Sequence, residues 1–132
     1  MSPVCVERRA LLLLHGESLA EQGGAAGVRD EGLLESALMR ARHKFEYGDP
    51  DIYELSAAYA YGFVKNHAFV DGNQRAGLLA TGLFLIANGW RLEAGRAETI
   101  SAVLALADDT WSESDLADWL RLQTTRRIAS KP

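Results

Sequence analysis

Asn66-His67-Ala68-Phe69-Val70-Asp71-Gly72-Asn73-Gln74-Arg75 is the densest polar cluster in the chain, and it lies between the two most apolar segments. Upstream, residues 50–66 set Ile52, Leu55, Tyr59 and Phe63 on one helical stripe, while Ala57, Ala60, Tyr61 and Val64 fill much of the rest. Downstream, residues 72–88 carry Leu78, Leu79, Leu83, Phe84, Leu85 and Ile86 and leave little polar face. A helix that is apolar nearly all round is a buried one. Asp49-Pro50 predicts the start of the first helix, as a carboxylate cap followed by proline at the first helical position, and Asn88-Gly89 predicts the end of the second. Two buried helices joined by a polar loop make the centre of an all-α bundle, with the loop held on a rigid scaffold.

The flanks read as further helices. Residues 4–22 carry Val6, Ala10, Leu13, Leu14 and Leu19 near helical spacing, until Gly23-Gly24-Ala25-Ala26-Gly27 breaks the pattern. That glycine cluster lacks the lysine and Ser/Thr of a phosphate-cradling loop and follows a helix, so it reads as a plain connector. Asp30 caps a second helix to about Ala41, with Leu33, Leu34, Ala37 and Leu38 inward. In residues 43–48, Phe45 and Tyr47 alternate with Lys44 and Glu46, which suggests a short extended piece. Residues 90–93 read as a connector and residues 96–107 as a fifth helix with Ile100, Val103, Leu104 and Ala107 at core spacing. Ser112 with Asp115 three residues on marks a capped last helix that turns Leu116, Trp119, Leu120 and Leu122 inward. Residues 124–132, with Arg126, Arg127 and Lys131, read as a frayed tail. The expectation is one domain over residues 1–132 with about six helices.

The 132 residues suit a single core, which at this size buries about two-thirds of the surface the unfolded chain exposes. Fourteen basic against 18 acidic side chains give a net charge of -4, which argues against a protein that lies along nucleic acid. Cys5 is the single cysteine, so neither an intrachain disulfide nor a multi-cysteine metal site can form, and it reads as a small helix residue rather than a reactive thiol. No run approaches the ~18 apolar residues of a membrane span. Leu11-Leu12-Leu13-Leu14 is followed by His15, Gly16 and Glu17 rather than a cleavage site, so a soluble cytoplasmic protein is expected.

The polar loop carries a coherent chemistry. If the downstream helix begins at Asp71, the amides of Gly72, Asn73 and Gln74 point out of its N-terminus, a ready site for phosphate. Gly72 allows close approach to the backbone, and Arg75 can fork two hydrogen bonds onto phosphate oxygens. Asp71 would repel a phosphate unless Mg2+ bridged them, and one carboxylate plus substrate phosphates is a common way to hold that ion. His67 has the unperturbed pKa of a general base, and Phe69 anchors the loop on the core. Taken singly, Asp71 reads as a helix cap, His67 as a satisfied loop histidine and Arg75 as a surface charge; their conjunction within nine residues points to a site.

His67-Ala68-Phe69-Val70-Asp71-Gly72-Asn73-Gln74-Arg75 resembles the signature of the Fic/Doc (Fido) family, His-x-Phe-x-Asp/Asn/Glu-Gly/Ala-Asn-Gly/Lys-Arg. The stretch from Gly23 to Leu38 and Phe84-Leu85-Ile86-Ala87-Asn88-Gly89 are similar to the Doc (death-on-curing) branch, so the resemblance covers about residues 14–122. It implies an all-α Fido fold. It also implies transfer of part of ATP to a protein hydroxyl, with His67 as base, Asp71 on magnesium, Gly72 and Asn73 lining the anion hole, and Arg75 on phosphate. Fic members transfer AMP. Doc toxins transfer phosphate to a threonine of elongation factor Tu, which blocks translation, and a Phd-type antitoxin restrains them.

Gln74 departs from the pattern, standing where Fic proteins have glycine and Doc toxins lysine. It shares lysine's bulk, which favours the kinase mode, but not its charge. The alternatives are AMP or other nucleotidyl transfer, and a catalytically attenuated binding module. Ala68, Ala76 and Gly77 are milder departures. No glutamate has Ser or Thr four residues before it, so the family's Ser/Thr-x-x-x-Glu inhibitory helix is absent from the sequence, and restraint would fall to a partner.

Overall fold

The structure, a computed structural model, describes residues 2–127. Among them are six helices and two short strands: α1 (Arg8–Gln22), α2 (Glu31–Glu46), α3 (Ile52–Asn66), α4 (Asn73–Ala87), β1 (Trp90–Leu92), α5 (Arg96–Ala107), α6 (Glu113–Gln123) and β2 (Thr124–Arg126). The bundle is all-α in class, with α3 at its centre against α2, α4, α5 and α6.

α3 is apolar on all sides because it serves two cores. Leu55, Ala58, Tyr59 and Phe63 join Leu11, Leu34, Phe69 and Phe84 on one side. Ala57, Ala60 and Val64 join Val103, Leu106, Leu116 and Leu120 on the other. Burial of such aliphatic and aromatic side chains contributes roughly 1.5–3 kcal/mol each. Gly77 sets the α3–α4 spacing: a Cβ there would lie 2.8 Å from Val64 Cγ2 and 3.2 Å from the Ala60 carbonyl oxygen. Close packing of the two helices fixes the ends from which the polar loop is hung.

Several boundaries differ from the sequence expectation, each for a local reason. α3 starts at Ile52 with Asp51, not Asp49, as its cap. Asp51 has Glu54 three residues on, and the pair exchange side-chain and backbone hydrogen bonds of 2.8 and 3.1 Å. α2 continues to Glu46, so residues 43–46 are helical rather than extended, and the Tyr47 N–H closes the last turn on the His43 carbonyl. Helical hydrogen bonding occupies that backbone. α1 begins only at Arg8, because the preceding residues are tied down in extended form: Val4 exchanges two hydrogen bonds with the Asn88 side chain, and the Val6 N–H donates to Tyr59 Oη. Burial pushes the Tyr59 phenol up to about 12.

The connector at residues 90–93 and the start of the expected tail pair instead as antiparallel strands, Trp90 opposite Arg126 and Leu92 opposite Thr124. Strands of three residues are too short for their period to show in the sequence. The rest of the expected tail, residues 128–132, lies outside the described residues. Leu13, Ile100, Leu104 and Leu122, expected inward, are exposed. The buried stripe of α1 is Leu11, His15 and Leu19, so a histidine takes a core position. No helix among the described residues is long and apolar enough to cross a membrane.

Candidate active site

The polar loop leaves α3 through His67, whose φ of 52° is left-handed, and enters α4 through Gly72, whose φ is 71°. A left-handed non-glycine residue costs of order 1–2 kcal/mol, so something must hold it. Arg29 does: its Nε donates to the His67 carbonyl at 2.8 Å and its Nη2 to the Asn66 carbonyl at 3.4 Å. The imidazole itself remains exposed.

The segment read as a plain connector grips the loop along its length. The N–H groups of Arg29 and Asp30 both donate to the Ala68 carbonyl, and the Val70 N–H donates to the Gly27 carbonyl. Val28 and Phe69 form an isolated antiparallel bridge. The Ala25 N–H reaches Asp71 Oδ2 at 3.3 Å. Residues 24–30 are therefore a second part of the site, contributed almost entirely by main-chain groups.

Phe69 is buried as expected, stacked 6.1 Å from Phe63 and 4.0 Å from the His15 ring. Asn73 turns its side chain back onto the loop: Oδ1 accepts from the Phe69 N–H at 2.9 Å and Nδ2 donates to the Phe69 carbonyl at 3.1 Å. Only its backbone amide is left to serve an anion hole. The helix cap is Gly72, with no side-chain cap bond, rather than Asp71. The Gly72 N–H is taken by Asp71 Oδ1 at 2.8 Å. That corrects the expected anion site by one residue: its free amides start at Asn73 and Gln74, not at Gly72. Gly72 is required for another reason, since a Cβ there would stand 2.9 Å from His15 Nε2 and 3.1 Å from Leu19.

Asp71 is exposed, and each of its oxygens accepts one backbone N–H. A carboxylate offers about four acceptor positions, so lone pairs remain for a cation. Among the described residues no group of three or more His, Cys, Asp or Glu forms a metal cage. The donor set thus suits an ion completed by substrate oxygens and water, as Mg2+ commonly is. Arg75 makes no ion pair with any acid among the described residues. With Gln74 it borders a groove of about 380 Å³ whose apolar wall includes Leu78, Leu79 and Val103.

His15 is the residue that the sequence reading passed over. It is 3% exposed, and its Nε2 lies 3.1 Å from the Asp71 carbonyl and 3.2 Å from the Gly72 carbonyl. Carbonyl oxygens only accept, so Nε2 carries the proton. Burial, reinforced by the nearby Arg75 charge, holds the imidazole below its usual pKa against the opposing pull of the two carbonyls. The signal was its spacing, four residues from both Leu11 and Leu19 on the stripe that faces the core.

Comparison with known proteins identifies the family. Residues 5–85 match the model of the Fic/DOC family. The chain belongs to the Fic/Doc family. It is 31% identical over 112 residues to a protein named protein kinase Doc from Escherichia phage P1, covering 84% of this chain and 88% of that one. It is 37% identical over 92 residues to toxin Doc from Mycolicibacterium smegmatis, covering 65% of this chain and 71% of that one. The family match spans α1 to α4, and so takes in both the polar loop and the segment that grips it.

Proposed function

We propose that this Fic/Doc protein is a Doc-type toxin that transfers phosphate from ATP to a hydroxyl of a target protein. The target inferred from the resemblance is a threonine of elongation factor Tu, with translation blocked as the consequence. The observation that carries the proposal is the start of α4: free amides at Asn73 and Gln74, and an Arg75 that pairs with no acid among the described residues, stand beside the Asp71 carboxylate, on the loop that carries His67. The names of the two relatives, a kinase and a toxin, support the same reading.

In this reading His67 takes the proton of the target hydroxyl as its oxygen bonds to the γ-phosphorus. The bond from that phosphorus to the bridging oxygen breaks, and ADP leaves. The amides of Asn73 and Gln74 and the Arg75 guanidinium stabilise charge on the phosphate oxygens, the kind of fixed donor set on which phosphoryl transfer depends. Mg2+, when bound through Asp71, would neutralise phosphate charge. The groove beside Gln74 and Arg75 offers an apolar wall to the base of the nucleotide. Restraint would come in trans, from a Phd-like antitoxin acting in the cytoplasm. Net charge and the cleft-like site speak for a bound nucleotide and against nucleic acid as partner.

AMP transfer is the second reading. It is favoured by the exposure of Gln74, which is free to swing clear of the phosphates. Incubation with bacterial lysate and ATP labelled at either the γ- or the α-phosphate separates the two. Label from the γ-phosphate on a protein target is expected. Label from the α-phosphate would overturn phosphate transfer in favour of AMP transfer, and no label from either would leave a binding module.

A further inference from the structure

We infer that His15 is a positioning residue of this site: by donating Nε2–H to the carbonyls of Asp71 and Gly72, it aims the first free amide of α4 at the phosphate. The inference rests on the proposed phosphate site.

The geometry is specific to peptide groups. In a trans peptide the C=O and N–H point in opposite directions. The Gly72 carbonyl belongs to the peptide whose N–H is that of Asn73. A donor that pins this oxygen toward α1 therefore turns the Asn73 N–H away from α1. The Asp71 carbonyl belongs to the peptide whose N–H is that of Gly72, and that N–H is held by Asp71 Oδ1. One imidazole N–H thus fixes both peptides that flank Gly72. The Gly72 carbonyl accepts a second bond, from the Ala76 N–H at 2.9 Å, so the first helical hydrogen bond shares an oxygen with His15.

The placement of His15 is also rigid. It comes from the middle of α1, and its ring lies 4.0 Å from that of Phe69, the anchor of the loop. The space is closed to alternatives, since any side chain at residue 72 would meet Nε2. A histidine whose work was only to fill the core would not need to spend its one N–H on two carbonyls of a site loop. Leucine or phenylalanine would fill the same stripe without desolvating an imidazole.

Two variants separate positioning from packing. His15→Phe keeps a ring against Phe69 and removes the donor. His15→Gln restores an amide N–H at about the reach of Nε2. Both are first shown to fold by circular dichroism and thermal melting. ATP with magnesium is then titrated calorimetrically, and the amide signals of Asn73 and Gln74 are followed by NMR with inorganic phosphate. His15→Phe is expected to bind about ten-fold more weakly, the scale of a lost hydrogen bond, and to lose the phosphate-induced shift at Asn73, with kcat falling more than KM rises. His15→Gln is expected to recover most of both. Folded His15→Phe with wild-type affinity and an unchanged Asn73 response would overturn the inference, as would a Gln variant no better than Phe. Wild-type protein that binds ATP but labels no target would fail the kinase reading and leave the inference standing. Wild-type protein that binds neither ATP nor phosphate would overturn both.

Discussion

Two stretches of backbone meet at the start of α4, and they divide the work. Residues 66–75 carry the groups to which the proposed function assigns the chemistry: His67, Asp71, Gln74, Arg75 and the free amides of Asn73 and Gln74. Residues 24–30, with His15 behind them, present almost no side-chain chemistry to a ligand. They supply instead the N–H and C=O groups, the Arg29 guanidinium and the imidazole that fix the other loop in a shape it would not hold alone. His67 and Gly72, the two left-handed residues of the loop, mark its two ends, and each has its own tether: Arg29 on the first, His15 on the second. The contrast teaches that a site loop this short carries its reagents in its own sequence and takes its conformation from elsewhere.

Substitutions in the two stretches should therefore fail differently. The largest effect is expected for His67→Ala, which should lose transfer by about 10²–10⁴-fold while ATP affinity changes little. Initial rates and calorimetry on the same preparation check it, and parallel loss of binding would break the division of labour. Gly72→Ala should follow. It forces a side chain into the left-handed region, at about 1–2 kcal/mol, and toward His15 Nε2. Both the melting temperature and phosphate binding should drop. Arg29→Ala should be milder, of order 1 kcal/mol in chemical denaturation, with a larger fall in kcat than in ATP affinity because it frees His67 rather than the phosphate site.

The smallest effect lies away from the loop, in the contact of α2 with α6, and shows what an ordinary structural ion pair does. Burial works against ionisation of Glu113, but hydrogen bonds from Arg40 and Lys44 outweigh it and hold its carboxyl below the usual value of 4.5. A folded pKa below the unfolded one contributes stability that is complete above 4.5 and is lost as pH falls through the folded value. Melting temperatures from pH 7 to 3 should show this loss in the wild type and less of it in Glu113→Gln, with transfer at pH 7 unaltered.

How much of this was legible in the sequence follows from the same division. The residues assigned to the proposed chemistry were legible because they are contiguous, and a helix start, a histidine and an arginine within nine residues have few other uses. The Asp30 cap and the Ser112–Asp115 box were legible because capping is written in residues three apart. The burial of α3 was legible in its all-round apolarity, but its division of the interior into two clusters was not, because that depends on which helices pack on each side. The bracing was not. Arg29 and His67 are 38 positions apart, His15 and Asp71 are 56, and the bonds from Ala25 and Gly27 use main-chain groups that any residue carries. Ala25 and Gly27 therefore leave no side-chain signature. His15 left one, a polar residue at a core position of α1, but Leu12, Leu13 and Leu14 beside it offered several stripes to choose among.

The central claim is that phosphate binds at the start of α4. A crystal structure with a non-hydrolysable ATP analogue and magnesium tests it most directly. Phosphate oxygens are expected on the amides of Asn73 and Gln74 and on the Arg75 guanidinium, with the ion on Asp71 and the terminal phosphate nearest His67. Phosphates bound away from that helix start, or an analogue seated with Arg75 and Asp71 both free, would contradict it.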